Sequence, residues 1–135
     1  MNNITLNIKS LLLNATQALR ENKFIEGKKI LEQIQSINSN ILEVNFNLAI
    51  LNLQSGNLDE AIIFFTKAKK INPKSTEIYH NLGIAYDRKK EKRLAIQNFK
   101  KVIELEPNNA MAYCNLGTVY KDILNISRAE ENLKK

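Results

Sequence analysis

At 135 residues, with 44% hydrophobic and 25% charged side chains, the chain has the length and balance of one soluble globular domain. Four Gly and two Pro against 19 Asn exclude a turn-rich sheet protein and a flexible linker, so helices are expected. A single Cys114 excludes an internal disulfide, and with one His beside it the usual zinc ligand sets are missing, so neither metal nor cofactor is expected. The formal charge of +6 is spread thinly along the chain. Its densest run, Arg88-Lys89-Lys90-Glu91-Lys92-Arg93, holds no aromatic residue for base stacking and reads as a solvated turn, so nucleic acid is not the expected partner.

Residues 1–13 have an apolar tint, but no basic stretch precedes them and Asn7 and Lys9 interrupt the run, which makes a poor signal peptide. No segment approaches the roughly 20 apolar residues of a membrane span. A soluble, cytoplasmic protein without a membrane partner is expected. In chain order, helices are predicted over 8–21, 24–37, 42–55, 58–71, 76–89, 92–105, 110–123 and from 126 onward. Pro73 and Pro107 forbid continuation of the helices before them, because proline lacks an N–H and restricts the preceding Asn72 and Glu106. Asn40-x-x-Glu43, Asn57-x-x-Glu60 and Ser127-x-x-Glu130 have the form of capping boxes, and Ser75 and Asn109 are suitable N-caps.

A repeat underlies this pattern. Tyr79, Leu82, Gly83, Tyr86, Ala95 and Phe99 return 34 residues later as Tyr113, Leu116, Gly117, Tyr120, Ala129 and Leu133. Stepping back by the same interval gives Asn45, Leu48, Ala49, Asn52, Ala61 and Phe65, and Pro107 answers to Pro73. One further step lands on Leu11, Asn14, Ala15, Ala18, Gly27 and Leu31, where the small and apolar character survives without the aromatics. Tyr79, Leu82 and Tyr86 form one stripe on a helix, and Leu94, Ile96, Phe99 and Ile103 give the next helix its apolar side. Gly83 and Ala95 keep the crossing clear of bulk, so Gly83→Leu is expected to be damaging.

Tyr-x2-Leu-Gly-x2-Tyr, then Ala-x3-Phe, then Pro, resembles the signature of the tetratricopeptide repeat (TPR) family, whose 34-residue units are helix–turn–helix hairpins. The match is clearest over 76–135, good over 42–75 and faint over 8–41. The resemblance implies an all-α fold, a right-handed α-solenoid of antiparallel hairpins. It implies one TPR domain over 1–135, with units 8–41 (degenerate), 42–75, 76–109 and 110–135, the last truncated in its second helix. It also implies a non-catalytic module that binds a protein or peptide ligand.

In TPR proteins the first helix of each hairpin lines the concave groove, and the residue before the Leu-Gly pair faces it. Here that residue is Asn47, Asn81 and Asn115, a ladder resembling the one in TPR regions of protein N-acetylglucosamine transferases. A carboxamide both donates and accepts, which suits pairing with an extended peptide backbone. The plainer alternative is that Asn is common at this place and in this chain. Helix periodicity adds Phe46 and Ile50, then His80, Ile84, Asp87 and Arg88, then Cys114, Thr118 and Lys121. The carboxylate clamp of chaperone-tail binders is not reproduced, because Phe46, Ile50, Met111 and Asn115 stand around Asn81 where its cations belong.

His80 and Cys114 invite a nucleophile reading, but equivalent residues on packed helices lie about 8–10 Å apart, far beyond a hydrogen bond of about 3 Å. No catalytic motif appears, and no enzyme activity is expected of these residues. The second-helix pattern runs past Lys135, as expected for the front of a larger enzyme of glycosyltransferase or sulfotransferase type. A self-assembling scaffold, pairing through an uncapped C-terminal helix, is the remaining reading.

Overall fold

The computed structural model describes residues 2–134, which contain seven α-helices. They are α1 (Asn3–Arg20), α2 (Phe24–Ile37), α3 (Leu42–Gln54), α4 (Leu58–Ile71), α5 (Thr76–Arg88), α6 (Lys92–Leu105) and α7 (Ala110–Leu133). The architecture is all-α and built of antiparallel hairpins of the expected kind. Two compact units divide it, Met1–Pro73 with α1 to α4 and Lys74–Lys135 with α5 to α7. In the first unit each helix packs on the next in sequence, and in the second α6 packs against both α5 and α7.

The helix ends follow from local chemistry. Asn22, Gly56 and Lys90 have φ of 60°, 80° and 70°, and they stand one repeat apart. After each of the three, the next residue's N–H reaches back five residues, Lys23 to the Ala18 carbonyl (2.8 Å), Asn57 to Asn52 (2.8 Å) and Glu91 to Tyr86 (2.9 Å). This is the Schellman arrangement, which needs a residue tolerant of the left-handed region at its C′ position. The helices before Pro73 and Pro107 stop at Ile71 and Leu105, and Asn72 and Glu106 leave the helical region with ψ of 86° and 85°, as a following proline favours.

Caps depart from expectation. Asn109 accepts from the Ala112 N–H at 2.9 Å as predicted, but Ser75 makes no side-chain cap. The Asn40 box does not form, since the N-cap position falls on Ile41; its turn is held from inside by Asn45 Nδ2, which donates to the carbonyls of Ser39 (3.0 Å) and Ile41 (2.9 Å). Asn57 Nδ2 points instead toward Asn52 Oδ1 (3.4 Å). α1 begins at Asn3 rather than 8, because Asn2 caps it by accepting from the Thr5 N–H at 2.9 Å.

The largest correction concerns the predicted break after residue 123. α7 is one continuous helix of 24 residues, and the expected Ser127 box lies inside it. The position that is Asn22, Gly56 and Lys90 in earlier repeats is Leu124 here. A left-handed backbone costs a side-chain-bearing residue about 1–2 kcal/mol, a cost that Lys90 bears in the preceding repeat and that Leu124 would add to the turn here. With neither Gly nor Pro at the turn, the helix runs on.

The first unit's core gathers Ala15, Leu31, Ile34, Val44, Leu48 and Leu51. The second holds two clusters, Tyr79 with Val102 and Ala112, and Ala95 with Phe99 and Val119. A Cβ placed on Gly83 would meet three carbons of the Phe99 ring at 2.5, 2.7 and 2.8 Å, so the close approach inferred at this glycine is present. Burial of rings such as Phe65 and Phe99, at 0% and 2% exposure, contributes about 1.5–3 kcal/mol each.

Candidate functional site

Each unit presents its own first-helix face. In the first unit, α3 carries Phe46, Asn47 and Ile50, all partly buried. Phe46 is held by an edge-to-face contact with Phe65 of α4, ring centres 5.9 Å apart at 71°.

In the second unit, α5 carries His80, Asn81, Ile84 and Asp87, partly buried, and Arg88, exposed. α7 carries Cys114, Thr118 and Lys121, exposed, and Asn115, partly buried. Ile84 of α5 and Leu116 of α7 both pack against the cluster of Ala95, Phe99 and Val119. Ile84 is thus partly committed to the core.

Polar members of this face are partly committed as well. Asn81 Nδ2 donates to the Glu77 carbonyl one turn back (2.9 Å), a bond that fixes the carboxamide's orientation. Thr118 Oγ1 donates to the Cys114 carbonyl (3.0 Å). Asp87 accepts from Lys92 Nζ at 2.6 Å, and the same ammonium reaches Asp122 at 3.3 Å. The hydrogen bond that Lys92 donates to Asp87 holds its ammonium above the ordinary pKa, with desolvation opposing. Asp87 therefore tethers the start of α6, and Lys92 reaches on to α7.

His80 sets its ring edge-on to Phe99, centres 6.0 Å apart at 61°. Burial pushes its pKa below the ordinary value and the nearby Glu77 carboxylate opposes this, so the imidazole is neutral at pH 7. His80 is thus bound to a core ring, whereas Cys114 is an exposed free thiol. No group of three His, Cys, Asp or Glu side chains suited to a metal occurs among the described residues, and no helix there is long and apolar enough to cross a membrane.

Three residues with substantial roles were absent from the predicted site. Asn45 and Asn52 are both 0% exposed and occupy the places of Tyr79 and Tyr86. Asn45 Oδ1 accepts from Gln35 Nε2 (3.2 Å), and Asn52 Oδ1 accepts from Lys28 Nζ (3.4 Å) while its amide donates to the Leu48 carbonyl (2.8 Å). The signal was visible as a departure from the aromatic pattern. Lys92, which stands in the basic run, is the third.

Comparison with known proteins follows from this geometry. Tetratricopeptide repeat profiles match residues 42–75, 76–109 and 98–131. The chain belongs to the tetratricopeptide repeat family. No curated protein matches it. Among solved structures, the first TPR of Spaghetti (RPAP3) bound to the HSP90 peptide SRMEEVD is similar, with 19% identity and a TM-score of 0.77 over 87% of this chain and 93% of that one. MamA from Desulfovibrio magneticus is similar with 15% identity and a TM-score of 0.81 over 94% and 72%. The O-GlcNAc transferase of Thermobaculum terrenum matches at 21% identity and a TM-score of 0.74, covering 88% of this chain and 23% of that one. At these identities the likeness is one of TPR fold.

Proposed function

We propose that the protein is a cytoplasmic, non-catalytic interaction module that binds an extended peptide or partner helix on the first-helix face of its TPR hairpins. The observation that carries this reading is the equivalent placement of Asn81 and Asn115 on α5 and α7, partly buried and flanked by His80, Ile84, Cys114 and Thr118. A row of carboxamides between apolar contacts suits main-chain hydrogen bonding with little demand on peptide sequence. Asn47, with Phe46 and Ile50, offers the same chemistry on α3. The TPR of Spaghetti solved with an HSP90 peptide supports a peptide as the class of ligand. The chaperone heptapeptide itself is not the expected ligand, because Phe46, Ile50 and Met111 replace clamp cations.

The test is an array of 15-residue peptides, followed by amide NMR titration with the tightest binder. Shifts at His80, Asn81, Cys114 and Asn115 are expected. Shifts confined to α6 would refute the assignment. A second reading, self-association, is favoured by the exposed apolar residues of α7 and is developed below.

A further inference from the structure

The repeat defines what each first helix expects on its second side. In the α5/α6 hairpin, Gly83 receives the ring of Phe99, whose atoms would lie 2.5–2.8 Å from a Cβ at that glycine. Tyr79 and Tyr86 flank it, packed in the clusters that α6 completes. The equivalent face on α7 is Tyr113, Gly117, Tyr120 and Leu124, four residues on one helical stripe. It is uncovered: Tyr113 is 51%, Tyr120 45% and Leu124 51% exposed, and a Cβ on Gly117 would meet nothing within 4 Å.

The complement to that face is on the same chain and is equally uncovered. Ala129 and Leu133 repeat Ala95 and Phe99, and Leu133 is 87% exposed. Because α7 continues through Leu124, Leu133 is carried 16 residues beyond Gly117, about 24 Å along the axis at 1.5 Å per residue. Its own glycine is out of reach while the helix is continuous. Among the described residues no other segment brings this complement to the face, and a second molecule can.

Resting on the self-association reading above, we infer that the Tyr113–Gly117–Tyr120–Leu124 face is the docking site for the Ile126–Leu133 segment of a second copy, and that the contact is head-to-tail. The head-to-tail geometry follows from helical phase. Sixteen residues at about 100° each place Gly117 and Leu133 about 160° apart around the axis, on opposite sides of one helix. A single straight partner helix cannot lie on both sides at once. Two copies therefore cannot satisfy each other reciprocally, and association adds copies in a row instead of closing as a dimer.

The experiment is light scattering coupled to size exclusion over 5–500 µM, with circular dichroism to verify folding of every variant. The unaltered chain is expected to rise with concentration past twice its 15.5 kDa mass without a plateau. Gly117→Leu fills the face and Leu133→Asp spoils the segment, and each is expected to stay at one chain mass. Neither residue supports the monomer's packing, one having open space around it and the other being solvent-exposed. Mixing these two variants is expected to restore pairs and nothing larger, since each supplies the half that the other lacks.

Leu124→Gly, which permits the turn, is expected to let the segment fold back on its own face and abolish association. A monomer at all concentrations overturns the inference and the self-association reading together. A plateau at two chains, or association that persists in Leu133→Asp, overturns the head-to-tail contact and leaves self-association standing.

Discussion

Gly83 offers the sharpest test of the hairpin's packing. In Gly83→Ala the new methyl carbon would lie 2.5 Å from Phe99 Cε1, 2.7 Å from Cδ1 and 2.8 Å from Cζ. Ordinary carbon contacts are about 3.5–4.0 Å, so three ring atoms overlap the methyl by about 1 Å. Phe99 is 2% exposed and in T-shaped contact with His80, so the ring has little room to turn and α5 and α6 must part slightly. Such overpacking costs about 1–3 kcal/mol, and the gain in helix propensity returns about 1 kcal/mol. A net loss of up to about 2 kcal/mol is expected.

Gly117→Ala, with open space around it, is expected to gain about 0.5–1 kcal/mol from propensity alone when measured at dilutions where the chain is monomeric. Urea unfolding followed by circular dichroism compares the two. At a slope of about 2 kcal/mol per molar, the midpoints should separate by about 1 M with Gly83→Ala the lower. A midpoint for Gly83→Ala at or above the parent's would refute the packing argument.

The remaining predictions concern buried polar groups, turns and pH. Asn45→Ala removes bonds to Ser39, Ile41 and Gln35, leaving inner partners unsatisfied, and is expected to cost about 1–3 kcal/mol in the same urea assay. Lys90→Gly relieves a left-handed lysine and is expected to raise the thermal midpoint, whereas Gly56→Lys, placed at φ 80°, is expected to lower it. His80 has a folded pKa below its ordinary 6.5, so the unfolded chain binds the proton more tightly. Its contribution to stability is complete above that ordinary value and is lost as pH falls through the lower folded value. His80→Gln is expected to flatten this acid-side decline in urea midpoints measured between pH 5 and 8.

The fold was legible because its determinants are local and repeated. The stripe Tyr79, Leu82, Tyr86, the small Gly83 and the prolines each act within a few residues, and a 34-residue period made them mutually reinforcing. Five of the seven helices, α1, α3, α4, α5 and α6, end where a proline or a left-handed turn residue dictates. The caps were less legible, because Asn has several uses of similar energy. Asn109 caps, Asn57 turns to Asn52, and Asn45 reaches into the turn that Asn40 was expected to hold.

The turn after residue 123 was misread for a related reason. The repeat frame predicted it, but whether it forms rests on one backbone conformation at Leu124. In the candidate site, helix periodicity placed His80, Asn81, Cys114 and Asn115 on first helices correctly. It could not show that His80 leans on Phe99 or that Asp87 is taken by Lys92, since both partners come from the second helix.

In the proposed function, carboxamides on the first-helix face hold the ligand. With the tightest 15-residue peptide from the array, calorimetric titration of Asn81→Ala and Asn115→Ala measures this most directly. Loss of one or two hydrogen bonds is worth about 1–1.5 kcal/mol, so each substitution is expected to weaken Kd about tenfold, with the circular dichroism spectrum unchanged. Equal affinity for the parent and both variants would contradict the account.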